Sequence, residues 1–255
     1  MKKFLLIGLP VILLIGIIGF VIWGSTSLPA TSEAQAALQS SPQVTVDTLK
    51  SWTVFRPAAG QPETGFIFYP GGRVDYRAYA PLLRTIASRG YLVVLVPMPL
   101  NLAIFGIDAA QDVIAAYPQI KHWAVGGHSL GGSMAAQFVI NHPGEADGLV
   151  FWASYPGASM ADSPIQAVLI SGSQDGLATP QKISEVHDLE PAGTRYVVIE
   201  GGNHSQFGSY GLQPGDGTAT IPHKVQWEQI VNATVDLLKT LKSEQVNDGR
   251  TEKGS

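Results

Sequence analysis

Three residues of this chain have the types needed to pass an acyl group through a hydroxyl: Ser129, Asp175 and His204, in that order. A serine hydroxyl is a weak nucleophile at neutral pH. It needs a positioned base, and the base needs an acid that holds it in the right tautomer. Ser129 lies at the centre of Val125-Gly126-Gly127-His128-Ser129-Leu130-Gly131-Gly132. Glycines at 127 and 131 let the backbone bend sharply and let two elements approach closely. Asp175 falls in Ser171-Gly172-Ser173-Gln174-Asp175-Gly176, and His204 in Gly201-Gly202-Asn203-His204-Ser205. The plain alternatives are a serine that only caps a helix and an Asp-Gly pair that only turns the chain. Glu200 is the reserve acid. His128 is expected to pack or hydrogen-bond under the turn, and His122, His142, His187 and His223 to be solvated or structural. No pair of histidines has metal-ligand spacing on a helix face.

The elements around these residues must bring them to one place. Residues 121–125 form a short apolar strand candidate, and 133–140 form a helix that opens at the serine, so its free N–H groups and positive dipole end face any charge developing there. Upstream, alternation over 44–56 predicts one or two edge strands, and 65–69 a strand buried on both faces, followed by the turn Pro70-Gly71-Gly72-Arg73. Helical spacing follows over 76–89, a strand over 91–96 and a helix over 107–117. After the serine come strands over 148–153, 167–171 and 195–200, and helices over 180–189 and 222–241. Short apolar strands alternating with helices predict a mostly parallel sheet covered on both faces. Asp175 and His204 each follow a strand, which puts them at the carboxyl edge of the sheet, where open parallel folds bind ligands.

With these pieces in place the chain resembles the α/β-hydrolase family from 44 to 241. It is most similar to the small members with little or no cap, related to dienelactone hydrolases and bacterial esterases. The matching pieces are Tyr69-Pro70-Gly71-Gly72-Arg73, the Gly127-to-Gly131 elbow, the acid loop ending at Gly176 and the histidine loop ending at His204. The resemblance implies Ser129 as nucleophile, His204 as general base and later acid, and Asp175 as the residue that fixes the imidazole. It implies an oxyanion hole from the backbone N–H of Leu130 with one from Gly72 or Arg73. Tyr69-Pro70 stands where the family often has His-Gly, and a serine stands where dienelactone hydrolases usually carry cysteine. Arg73 is open to two readings, a clamp for a substrate carboxylate or a surface charge.

The chain as a whole sets the setting. Of its 255 residues 14% are charged and the net charge is −4, which excludes a nucleic-acid partner or a disordered chain. There is no cysteine, so disulfides, thiolate nucleophiles and cysteine-zinc sites are excluded. Lys2 and Lys3 precede an uncharged apolar run over 4–23, long enough to span a bilayer, with the lysines on the cytoplasmic side. The expected organisation is a transmembrane signal anchor over 1–24, a tether without structure over 25–43, the α/β-hydrolase domain over 44–242 and a disordered tail over 243–255. The catalytic domain then works outside the cytoplasm, single-pass and membrane-bound. A cleaved secretory signal ending at Ala34-Gln35-Ala36 is the alternative. The expected activity is that of a cofactor-free serine hydrolase on a small ester-like substrate, with thioesters, lactones and amides open to the same chemistry. Its rivals are a cell-surface acyltransferase using the same residues and a binding module without catalysis. Nothing in the sequence bears on oligomeric state.

Overall fold

The computed structural model describes residues 2 to 241, with side chains from Leu9 onward. Eight strands form one sheet: β1 (Val44–Thr48), β2 (Thr53–Pro57), β3 (Thr64–Tyr69), β4 (Leu92–Leu95), β5 (His122–His128), β6 (Gly148–Trp152), β7 (Gln166–Gly172) and β8 (Arg195–Ile199). Their order across the sheet is β1-β2-β4-β3-β5-β6-β7-β8. β3 through β8 run parallel, whereas β2 is antiparallel to both β1 and β4. Of the two strands read from 44–56 as edges, only β1 is one. β2 is covered by a neighbour on each side.

Period-two alternation along the strands sorts the core into two layers. Phe66 and Phe68 of β3 point into one cluster, with Trp152, and Ile67 and Tyr69 into the other. Helices α3 (Ala80–Ser88) and α7 (His223–Thr240) cover the first face through Leu82, Leu83, Ile86, Ile230 and Leu238. Helices α4 (Ala109–Ala116) and α5 (Leu130–Asn141) cover the second through Ala110, Val113, Ala135, Ala136 and Phe138. The short α6 (Pro180–Glu185) adds Ile183 to this face.

The helix expected over 76–89 starts later. Pro81 has no N–H to donate and belongs in a first turn, so the regular helix opens at Ala80 and Tyr76–Tyr79 form a 3-10 turn capped by Asp75. Between β6 and β7 the chain crosses with no helix, as the short spacing requires.

The N-terminal part differs more. Helix α1 runs Lys2–Ser25. Among the described residues, no helix is long and apolar enough to cross a membrane. The segment read as a tether without structure is docked on the domain. Leu28 bridges Val74 in parallel, and α2 (Ser32–Ala36) buries Ala34 completely, with Ala30 and Ala37 beside it in the core. Thr31 caps α2 and bonds Ser209 through both backbone and side chain, at 2.9 and 2.7 Å. Three alanines in a polar stretch carry too little apolar periodicity to announce a five-residue helix, yet their small side chains allow close approach. The tail over 243–255 lies outside the described residues.

Candidate functional site

The elbow is built by β5 running straight into α5. Ser129 joins them with φ 51° and ψ −123°, a left-handed conformation that costs a non-glycine residue about 1–3 kcal/mol and persists only where the surroundings enforce it. They do so with backbone. A methyl at Gly131 would collide with the carbonyl oxygens of Tyr69 and Pro70, and one at Gly132 would come within 2.6 Å of Ser154 Oγ. Ser129 N–H donates to the Trp152 carbonyl at 3.0 Å, and Ser154 Oγ donates to the Ser129 carbonyl at 2.6 Å. The Ser129 side chain makes no capping bond to α5, so the helix-cap reading does not hold.

β7 ends at Gly172 and β8 at Ile199, and the loops beyond them meet. His204 Nδ1 and Asp175 Oδ2 are 2.8 Å apart, with side chains that are 1% and 0% exposed. Asp175 Oδ1 is held by the N–H groups of Leu177 and Ala178, at 2.8 and 2.7 Å, which leaves Oδ2 for the imidazole. His204 Nε2 is buried and has no hydrogen-bond partner. A buried polar atom left unpaired calls for an explanation, and an open site for a proton is one. Glu200 is exposed and takes no part.

The His204 ring lies against that of His128, the residue just before Ser129, with centroids 4.4 Å apart. His128 packs under the turn as expected. Tyr79 hydroxyl accepts the Gly71 N–H at 3.0 Å, so its own proton goes to His128 Nδ1 at 2.8 Å. Complete burial, and next the neighbouring His204 imidazole, hold His128 well below the usual histidine range.

One residue of this site carried no motif. Asp216, in the glycine-rich stretch after His204, accepts from the N–H of Gly176, His204 and Gly217 through Oδ1. Through Oδ2 it accepts from the N–H and hydroxyl of Ser205, at 2.7 and 2.6 Å. Burial pushes its carboxyl up, but the Ser205 hydroxyl and these N–H groups outweigh that and hold it below the usual range. It thereby ties the acid loop to the histidine loop. Its signal was Asp216-Gly217 in an aperiodic stretch, which reads as a turn.

The candidate anion donors separate. Arg73 N–H donates to the Asn101 carbonyl at 2.8 Å and is unavailable. No hydrogen bond engages the N–H of Gly72 or of Leu130 among the described residues. The two lie together, since a methyl on Gly72 would come within 3.2 Å of Leu130 Cδ2. The Arg73 guanidinium is stacked over Trp23 at 4.6 Å and donates to Thr26 Oγ1 at 2.7 Å. These contacts hold the guanidinium against the N-terminal segment, so it is not a loose surface charge. Among the described residues, no group of three or more His, Asp or Glu side chains is placed to hold a metal ion.

An eight-stranded, mostly parallel sheet with a strand–serine–helix elbow after β5, an acid loop after β7 and a histidine loop after β8 defines an α/β hydrolase. The chain belongs to the alpha/beta hydrolase family, whose model matches residues 65–228. Among solved structures it is similar to a predicted CIB-like hydrolase from Thermoplasma acidophilum. The two share 18% identity and a TM-score of 0.53 over 78% of this chain and 98% of that one, a likeness of fold. No curated protein matches it.

Proposed function

We propose that this protein is a serine-dependent hydrolase of carboxylic esters, held at the membrane by its N-terminal helix with the catalytic domain outside the cytoplasm. The observation that carries the reading is the buried 2.8 Å pair of Asp175 and His204, whose imidazole packs on His128, the residue before a strained, uncapped Ser129. Asp175 accepts the Nδ1 proton of His204, so the free Nε2 presents a lone pair as base. Ser129 Oγ attacks the ester carbonyl, and its proton passes to Nε2. The developing oxyanion is met by the N–H groups of Gly72 and Leu130, with the start of α5 behind them. Collapse breaks the ester C–O bond, and Nε2 returns the proton to the leaving alcohol. Water repeats the sequence, releasing the acid and restoring the serine.

Support for the anchor comes from α1, whose apolar side chains from Leu9 to Ile18 stand exposed around the helix, with only its last turns packed on the domain.

The catalytic reading is tested on the full chain with short p-nitrophenyl esters. Ser129→Ala is expected to lower kcat by a factor on the order of 10³ or more with the fold unchanged. A fluorophosphonate is expected to label Ser129 covalently, and His204→Ala to abolish labelling. Hydrolysis retained by Ser129→Ala would end the proposal.

A further inference from the structure

A cleft of about 520 Å³ adjoins the elbow, a size suited to one small-molecule ligand. Trp23, Leu28 and Leu102 give it apolar lining, Ser27, Arg73 and Gln213 its polar side chains, and Gly72 lines it beside Arg73. Gly72 connects the cleft to the reacting centre, because it lies against Leu130, the residue after Ser129, as well as against Leu102. Gln213 of the lining donates its N–H at 2.8 Å to the hydroxyl of Ser205, the residue after His204. The cleft thus reaches residues that adjoin the elbow and the histidine loop, while Ser129 and His204 themselves stand outside its lining.

The end of α1 is built into this lining. Asn101 Nδ2 donates to the Gly24 carbonyl at 3.0 Å, and Phe20 meets the Phe105 ring edge-on at 6.1 Å. Arg73, Leu100 and Asn101 all hold positive φ, at 55°, 51° and 53°. Such strain persists only where contacts enforce it. Here the contacts include Trp23, Gly24 and Thr26 of the N-terminal segment. Ile104 and Phe105, which follow Leu102 of the cleft in sequence, are 44% and 49% exposed, and the Phe105 ring meets Phe20 of α1. Exposed apolar side chains grouped in this way mark a membrane contact or a binding groove.

The geometry points to a substrate drawn from the bilayer: an acyl-lipid ester whose hydrocarbon chain lies along Trp23, Leu28 and Leu102 and whose carbonyl reaches Ser129 beside the Gly72 N–H. This rests on the acyl-enzyme reading above and names its substrate class. Ser129 takes the acyl group, the lipid alcohol leaves with the proton relayed by His204, and water releases the fatty acid. Each CH₂ that enters the cleft raises kcat/KM, by up to about fourfold.

The test uses the full chain in phosphatidylcholine vesicles with p-nitrophenyl esters from acetate to palmitate, alongside fluorophosphonate labelling. The expected result is a rise of kcat/KM with chain length to at least about tenfold above acetate. Ser27→Trp and Leu28→Trp, which fill the cleft, are expected to move the optimum to shorter chains while labelling shows the site still folded. Phe105→Asp is expected to lower palmitate hydrolysis about tenfold relative to acetate. A flat length profile, an optimum that both tryptophan variants leave in place, or equal rates ratios with and without Phe105→Asp would overturn the lipid substrate, while labelling and short-ester hydrolysis keep the acyl-enzyme reading standing. Absence of labelling and of hydrolysis at every length would overturn both.

Discussion

At the residue scale, His128 shows how a side chain beside the reacting atoms is held out of the chemistry. It is fully buried, accepts a hydrogen bond from the Tyr79 hydroxyl and stacks near Phe207 at 5.6 Å between centroids. Because its folded pKa is depressed, the folded state binds fewer protons than the unfolded chain below the free-histidine value of about 6.5. The stability it allows is therefore present above about pH 6.5 and falls as pH drops, steepening toward the slope of one proton, until the folded pKa is passed. Urea melts from pH 7 to 5 should show this slope in the native chain. His128→Gln should flatten it, and an unchanged slope would refute the assignment. His204 sits 4.4 Å away between centroids and, like His128, has a partnered Nδ1 and an unpartnered Nε2; what distinguishes it is that its Nδ1 partner is the Asp175 carboxylate rather than a hydroxyl.

The element scale is governed by backbone crowding where β3, β5 and α5 converge. In register, Tyr69 stands opposite Gly127, so the end of β3 lies directly beside the elbow. At Gly131 any side chain would push the Tyr69 and Pro70 carbonyls away, and with them Gly71 and Gly72. Gly131→Ala is expected to lose about 1–3 kcal/mol of stability by overpacking. Thermal unfolding should fall roughly 2–4 °C for each kcal/mol, and esterase activity should fall further than stability accounts for, because the Gly72 N–H moves. A variant with native activity and melting temperature would refute the packing argument. The docking of α2 belongs to this scale too. Ala34 is buried through contacts that only the folded domain provides, since Ser209 lies 178 positions from Thr31.

On the scale of the whole molecule, the question is how the hydrolase domain meets its surroundings. The exposed side chains of α1 include the consecutive Val11, Ile12, Leu13 and Leu14, which at about 100° per residue fall on every side of the helix. An anchored chain should stay in the membrane pellet after alkaline carbonate washing. Replacing both Ile12 and Ile15 with Asp, each costing about 2.5–3.5 kcal/mol at a helix centre, should release it to the supernatant. Native chain recovered in the supernatant with an N-terminus just after Ala36 would instead establish the cleaved-signal alternative. The packing of Arg73 on Trp23 and Thr26 ties the domain to the end of α1, so the attachment is expected to be rigid rather than tethered.

The sequence by itself determined the elements that carry the site, because strand and helix periodicity, the glycines at 127 and 131 and the loops after β7 and β8 are all local signals. Ser129, Asp175 and His204 were legible for that reason, each placed by the strand just before it. Only the tertiary structure decided what surrounds them. Arg73 loses its N–H to Asn101, Asp216 reaches across two loops, and the residues from Thr26 to Ala37 fold onto the domain. These are contacts between residues distant in sequence, paid for by closing loops, and no local pattern encodes which distant carbonyl, hydroxyl or ring will stand opposite. The elbow was written in five consecutive residues, whereas the cleft that would choose its substrate exists only once four separate segments have met.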